Sequence, residues 1–302
     1  MTATYDQIFR NRCRPLEPIP TGEPEVLASM PEVRAVLFDL YGTMFISASG
    51  DVGVAQESGR PEALAEAFRA AGFRGRIEAG RAVECLLGTI RSHHEASRRR
   101  GIEYPEVDIV EVWRDVLDQL SRSGWIDSGA GELDLRRLAV EYEVRTNPTW
   151  PMPGLQTCLE QLRARGLLLG IVSNAQFYTL AMFRGLLRAD PEVLGFDRTL
   201  QIYSYRYGRA KPDRFLFEVA IKALAKHAVP AEKIIYIGND MLNDVWAARN
   251  VGFRTALFAG DRRSLRWRRA DERVRGITPD VVLTELESLV TCLSRPPTRP
   301  SG

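Results

Sequence analysis

The chain is expected to be an α/β protein, a doubly wound parallel sheet with an all-helical segment inserted after its first strand. Three observations predict this. Short runs of consecutive apolar residues at 35–38, 167–172 and 234–237 end at Asp39, Ser173 and Gly238, as strands buried on both faces do. Helical patterns at 155–165, 214–225 and 242–250 alternate with the later runs, which argues a parallel sheet covered by helices. Between Asp39 and Ser173 a long stretch carries helical signals instead.

Taken in order, residues 1–32 are expected to form an irregular extension, because Pro15, Pro18, Pro20, Pro24 and Pro31 leave no clear period. The core is placed at 33–47 and 150–290, and the helical insert at 48–149. Within the insert, helices are expected at 61–71, 80–100, 108–123 and 133–145. Their apolar residues recur at three- and four-residue spacing, as Val112, Val116 and Leu120 do. Weaker strands are expected at 201–205, at 255–258 and near 281–283, and a flexible tail at 291–302.

Composition narrows the function. With 302 residues, 45% hydrophobic and 26% charged, the chain has room for one large domain or a core plus an insert. Forty-one basic residues against 39 acidic ones leave a net charge of +2, without the basic excess that a nucleic-acid partner calls for. No apolar run approaches the ~20 residues of a membrane span, and residues 1–20 lack the apolar core of a secretory signal. A cytoplasmic protein with no membrane partner is therefore expected. Cys13, Cys85, Cys158 and Cys292 lie too far apart for a zinc knuckle or an obvious disulfide framework. With only His93, His94 and His227 available, carboxylates are expected to carry any catalysis.

Open parallel sheets bind ligands beyond the carboxyl ends of their strands. The three clearest strands end at Asp39, at Ser173 and Asn174, and at Gly238, Asn239 and Asp240, while Lys211 precedes a helix. These ends would bring carboxylates, a hydroxyl and a cation to one crevice. A carboxylate nucleophile splits one hard displacement into two steps through a covalent intermediate. Donors already in place, such as Ser173 and Lys211, stabilise the charge that builds on the transferred group. Asp240 and Asp244 stand four residues apart, on one face if the helix is continuous, and with Asp39 make a hard-oxygen cluster suited to Mg²⁺.

At this point the chain resembles the haloacid dehalogenase (HAD) superfamily of hydrolases. Asp39, Tyr41, Gly42 and Thr43, in the run D-L-Y-G-T, look like its first motif. Ser173 and Asn174 look like the second, Lys211 with Pro212 the third, and the segment from Gly238 to Asp244 the fourth. The resemblance spans roughly residues 33–260 and includes the helical cap that one subclass carries between motifs one and two. It implies a Rossmann-like core with Asp39 as nucleophile and Lys211 as charge balance. Gly42, Thr43, Ser173 and Asn174 would bind the transferred group. Mg²⁺ would be held by Asp39, the main chain of Tyr41, and Asn239, Asp240 and Asp244.

Two positions depart from the family pattern. Phosphatases of the superfamily usually have an acid two residues after the nucleophile to protonate the leaving oxygen, and here that residue is Tyr41. A phenol with a pKa of about 10 is a poor acid at neutral pH. Asn239 stands where the family commonly has Asp. Tyr41 resembles the first motif of the 2-haloacid dehalogenases, whose halide leaves without a proton. The Asn239-Asp240 pair and Phe217, six residues after Lys211 where those enzymes have Tyr, argue against that branch.

The expected function is therefore Mg²⁺-dependent hydrolysis of a small anionic, phosphorylated substrate with a good leaving group. The alternatives are C–halogen hydrolysis and a non-catalytic binding protein. Two basic stretches could add anion contacts: Arg98, Arg99 and Arg100 in the insert, and the segment 260–269 with Asp261, Arg262 and Arg263. A solvated helix end is the plainer reading of the first. For the second it is a surface segment that packs Trp267.

Overall fold

The computed structural model describes residues 3–49, 60–127 and 133–294. Parts of the expected insert (50–59 and 128–132) and of the expected tail (295–302) lie outside the described residues.

Six strands form one parallel sheet: β1 (Ala35–Phe38), β4 (Leu168–Ser173), β5 (Phe196–Tyr203), β6 (Ile234–Gly238), β7 (Arg254–Phe258) and β8 (Val281–Leu283), in the order β5-β4-β1-β6-β7-β8. β1 and β6 are buried along their whole length, which accounts for their unbroken apolar sequence. From β1 the chain moves outward through β4 to β5, then crosses to β6 and continues the other way to β7 and β8. The direction of winding therefore reverses between β1 and β6, the switch point at which open α/β sheets leave a crevice. Phe38 is in register with both Ile171 and Ile237. Asp39, Ser173 and Gly238 consequently emerge side by side at the carboxyl edge.

α6 (Leu155–Ala164) and α9 (Leu286–Cys292) pack on each other, and α8 (Phe215–Ala225) packs on β4 and β5. Three buried clusters lie on the sheet among the described residues. One, around Leu37, Leu216, Phe217 and Tyr236, includes α8; a second, around Phe38, Leu159, Ile171 and Ile237, continues into the insertion; a third, around Met241, Val245, Leu257 and Val282, covers the β7–β8 side.

The chain leaves the sheet through β2 (Phe45–Ser47) and returns through β3 (Thr149–Pro151), which pair as an antiparallel ribbon. Between them lie α2 (Pro61–Ala70), α3 (Ala79–Arg99), α4 (Ile109–Arg122) and α5 (Leu135–Thr146). The spacing of α4 buries Ile109, Val112, Trp113, Val116 and Leu120, and Asp108 caps its start by accepting from the Val110 amide at 2.8 Å. Trp113 is fully buried, edge-on to Phe68 and Tyr142 with ring centroids 6.0 and 5.7 Å away. Burial of its ring stabilises the insertion, offset by an indole N–H that is buried without a hydrogen-bond partner among the described residues.

Several elements differ from the sequence expectations. Residues 5–12, expected to be irregular, form helix α1 (Tyr5–Arg12), whose Ile8 and Phe9 are buried. It packs on α7 (Thr179–Leu186) and α5. The strand expected at 201–205 spans Phe196–Tyr203. The helix expected at 242–250 is a π-helical turn, Met241–Trp246, followed by the α-helical turn Ala247–Arg249. The expected tail is structured at its start, where Cys292 and Leu293 are buried. The proline-rich residues run irregularly across the sheet edge, with Val26 bridged to Val282. No helix among the described residues is long and apolar enough to cross a membrane, and all four cysteines are buried and free.

Candidate active site

The centre of the carboxyl edge is a buried ion cluster. Lys211 Nζ donates to Asp39 Oδ1 at 2.7 Å, to Asp244 Oδ1 at 2.5 Å and to the Tyr236 hydroxyl at 2.9 Å. Its side chain is 3% exposed, and that of Asp244 2%. Burial opposes the Lys211 charge, but Asp244 and Asp39 outweigh it and hold its pKa above the ordinary lysine value. Burial pushes the Asp244 carboxyl up to about 7; Lys211 counters that rise, and Asp39 and Asp240 add to it. Asp39 Oδ2 has no partner among the described residues, so one oxygen of the expected nucleophile is uncommitted.

Local structure builds this cluster. Asp39 is fixed by its own amide, which donates to the Ile237 carbonyl of β6 at 2.9 Å. Lys211 is held by its main chain: Asn174 Oδ1 accepts from its amide at 2.7 Å, and Asn174 Nδ2 donates to its carbonyl at 3.3 Å. Gly238 leaves room for Asp244, since a Cβ there would stand 2.2 Å from Asp244 Cγ. Gly42, with φ +83°, is equally constrained: a Cβ would meet Ser264 Cβ at 2.5 Å and Asn239 Cγ at 2.9 Å.

The structure thus brings Asp39, Asn174, Lys211 and Asp244 together, with Ser173 beside them in β4. The Ser173 hydroxyl meets the Asn174 carbonyl at 3.4 Å, too long to commit it strongly. Asn174, expected to bind the transferred group, spends its amide on Lys211. Thr43 donates to Asn239 Oδ1 at 3.2 Å, and Asn239 Nδ2 donates to the Ser264 carbonyl at 2.7 Å.

The acids expected to hold Mg²⁺ do not fit a shared ion. Asp240 lies outside the helix as its N-cap, so it does not share a helix face with Asp244. Its Oδ1 accepts from the Leu242 and Asn243 amides at 2.8 and 3.1 Å. Its Oδ2 accepts from Arg268 Nη2 at 2.6 Å and Nε at 3.0 Å. Asp244 Oδ2 accepts from the Asp240 amide at 2.9 Å, and its Oδ1 from Lys211, with the Tyr236 hydroxyl oxygen 3.2 Å away. Among the described residues no three His, Cys, Asp or Glu side chains are grouped to hold a metal ion.

Tyr41 is 6% exposed. Burial, with Glu143 adding to it, pushes its phenol far above the ordinary tyrosine value, so it is a still weaker acid than the sequence suggests. Glu143, on α5, accepts from the Tyr178 hydroxyl at 2.9 Å and from Asn147 Nδ2 at 3.0 Å. Asn147 Oδ1 also accepts from Ser47 and Ser49 at 2.8 and 2.9 Å, tying together the two passages into the insertion. The insertion touches the Lys211 loop directly: the Ala210 amide donates to the Tyr104 carbonyl at 2.8 Å and the Glu106 amide to the Gly208 carbonyl at 3.1 Å.

Of the basic stretches, Arg98, Arg99 and Arg100 are exposed at a helix end. In the second, Asp261 accepts from the Ile19 amide and from Arg263, Trp267 Nε1 donates to Glu23 at 2.8 Å, and Arg268 meets Asp240. The partners of three residues of this site escape sequence reading. Tyr236 looks like one more strand residue, although a buried phenol needs a partner; it donates to the Val172 carbonyl at 2.7 Å. Arg268 and Ser264 lie in the basic segment 260–269 that the sequence singles out, but their partners Asp240 and Asn239 are set only by the fold.

A protein-family model described as a haloacid dehalogenase-like hydrolase matches residues 33–252. A glyceraldehyde 3-phosphate phosphatase of Pyrococcus furiosus is 25% identical over 223 residues, covering 67% of this chain and 86% of the relative. The haloacid dehalogenase-like hydrolase domain-containing protein 3 of Xenopus laevis is 31% identical over 147 residues, 48% of this chain and 56% of that protein. Among solved structures, a 2-haloacid dehalogenase from Pseudomonas syringae pv. Tomato superposes with a TM-score of 0.54 at 21% identity, covering 86% of this chain and 98% of the other. A HAD phosphatase from Thermococcus onnurineus gives 0.51 at 20% identity, with the same two coverages. These two likenesses concern the fold.

Proposed function

Because the chain belongs to the haloacid dehalogenase-like hydrolases, we propose that it hydrolyses a small phosphorylated substrate with a stable leaving group, using Asp39 as nucleophile. The observation that carries this reading is the Asp39–Lys211–Asp244 cluster at the switch point of the sheet, with one Asp39 oxygen uncommitted. Similarity to a phosphatase over two thirds of the chain supports the substrate class.

In the first step Asp39 Oδ2 bonds to phosphorus, the bond from phosphorus to the leaving oxygen breaks, and that oxygen departs with the electron pair. In the second, water attacks the aspartyl phosphate, inorganic phosphate leaves, and the Asp39 carboxylate is restored. Lys211 stays on Asp39 Oδ1 throughout, and the Ser173 hydroxyl is available to the transferred group. Tyr41 supplies no proton, so aryl and acyl phosphates are favoured over alkyl esters; lack of a general acid costs a poor leaving group roughly 10²–10⁴ in rate. The helical insertion serves as the cap that excludes water and selects the substrate. Magnesium is implied by the resemblance, but because the acids do not group around an ion no step is assigned to it.

The second reading, C–halogen hydrolysis, is favoured specifically by Tyr41: halide leaves without a proton, and the run D-L-Y-G-T resembles that branch.

The test is phosphate release from matched aryl, acyl and alkyl phosphates, with Mg²⁺ or with EDTA, by the wild type and Asp39→Asn. Release from aryl and acyl substrates that disappears in Asp39→Asn supports the proposal. No phosphate from any of them, with halide released from a 2-haloacid, favours the second reading.

A further inference from the structure

The carboxylate of Asp240 is already paired with a cation that the chain itself supplies. We propose that Arg268 is the resident cation of Asp240, so that no divalent ion is held through this residue, and that removing Arg268 would convert Asp240 into the start of a divalent-cation site. The inference concerns the charge at the site and stands whichever substrate is hydrolysed.

The geometry is that of a built pair. Two nitrogens of the guanidinium reach the same oxygen, Asp240 Oδ2, at 2.6 and 3.0 Å. The Asp240 side chain is 6% exposed and that of Arg268 36%, so the acid is buried beneath a partly exposed cation. Arg268 is delivered by the backbone. The Arg266 amide donates to the Asn239 carbonyl at 2.9 Å, and the Met241 amide to the Arg266 carbonyl at 2.9 Å, locking this segment alongside the fourth motif. Two residues later the chain turns back at Arg268 itself, whose φ is 50°. A left-handed conformation is unfavourable for a residue with a Cβ and persists only where its surroundings hold it.

Charge explains why the pair matters. Asp39, Asp240 and Asp244 bring three carboxylates to one buried edge, and Lys211 contacts only two of them. Asp240, whose amide donates to Asp244, would otherwise be a buried anion beside other anions, an arrangement that is strongly destabilising unless a cation is recruited. A divalent ion could fill that role, and here a guanidinium does.

The probe is Mn²⁺, titrated into the full-length chain by calorimetry and by the electron paramagnetic resonance of the free ion. Wild type, Asp240→Asn, Arg268→Gln, Arg268→Lys and the Asp240→Asn/Arg268→Gln double variant are compared. Asn keeps the helix cap, and melting temperatures check that each variant folds. Asp240→Asn and Arg268→Lys should bind Mn²⁺ as the wild type does. Arg268→Gln should bind it more tightly by on the order of tenfold, the size of effect that groups around a metal ligand have, and the double variant should lose that gain. Weakened binding in Asp240→Asn alone would make Asp240 a ligand in the wild type and overturn the proposal. So would an Arg268→Gln protein that binds no tighter than wild type, including the case in which none of the five binds.

Discussion

Replacing Lys211 by Met removes the ammonium while keeping a long side chain in its place. The lysine contacts Asp39, Asp244 and Tyr236 at 2.7, 2.5 and 2.9 Å from a position 5% exposed, so the variant buries two carboxylates that have lost their shared cation. Breaking a buried pair in this way costs about 3–5 kcal/mol. At about 2–4 °C per kcal/mol for a larger domain, the melting temperature should fall by roughly 6–20 °C. Loss of a preorganised charge at the reacting group should lower kcat by about 10²–10³. The penalty belongs to ionised carboxylates, and burial already holds Asp244 up at about 7. Without Lys211 the Asp244 carboxyl rises further, so the variant pays most where the wild type is ionised, above pH 7. The stability gap between the two proteins, measured by urea unfolding, should therefore be wider at pH 8 than at pH 5. A gap below about 1 kcal/mol at pH 8, the scale of an exposed ion pair, or one that widens at pH 5, would refute the reasoning.

Other substitutions probe the same site. Asp244 is an acid whose folded pKa is raised from its ordinary value to about 7, so the folded state holds a proton that the unfolded chain has lost. Its contribution makes stability fall as pH rises between about 4 and 7. Asp244→Asn should flatten that fall in a pH series of urea midpoints; an unchanged slope would place the titration elsewhere. Gly42→Ala should lose about 2–5 kcal/mol, from a left-handed φ of +83° and a Cβ set 2.5 Å from that of Ser264; thermal unfolding checks this, and a neutral result would mean that the turn can shift. Asn174→Ala frees the main chain on both sides of Lys211 and should lower kcat by roughly tenfold or more with little change in KM. A rise in KM alone would instead make Asn174 a binding residue.

Much of the sheet was legible because a doubly covered strand must be apolar throughout: β1, β4 and β6 stand out for that reason, and their ends locate Asp39, Ser173 and Gly238. The β2–β3 ribbon was not, since three-residue strands carry too little pattern. Helix α1 was hidden because the prolines that follow it dominate the reading of the first 32 residues. In the candidate site, the strand ends placed these residues at one edge of the sheet, but hydrogen-bond allegiance could not be read. Asn174 and Thr43 carry groups suited to a ligand and spend them on Lys211 and Asn239. The position of Asp240 was readable in principle, because Asp just before a helix is a strong N-cap signal. Its pairing with Arg268 was not, because 28 residues separate the two and only the stitched backbone near Arg266 brings them together.

The proposed nucleophile can be observed during turnover. The protein would be mixed with an aryl or acyl phosphate, quenched in acid within a single turnover and digested, and its peptides weighed. Added mass of one phosphoryl group on the peptide containing Asp39, absent from Asp39→Asn, is the expected result. Phosphate released at full rate with no labelled Asp39 peptide, or with the label on another residue, would contradict it.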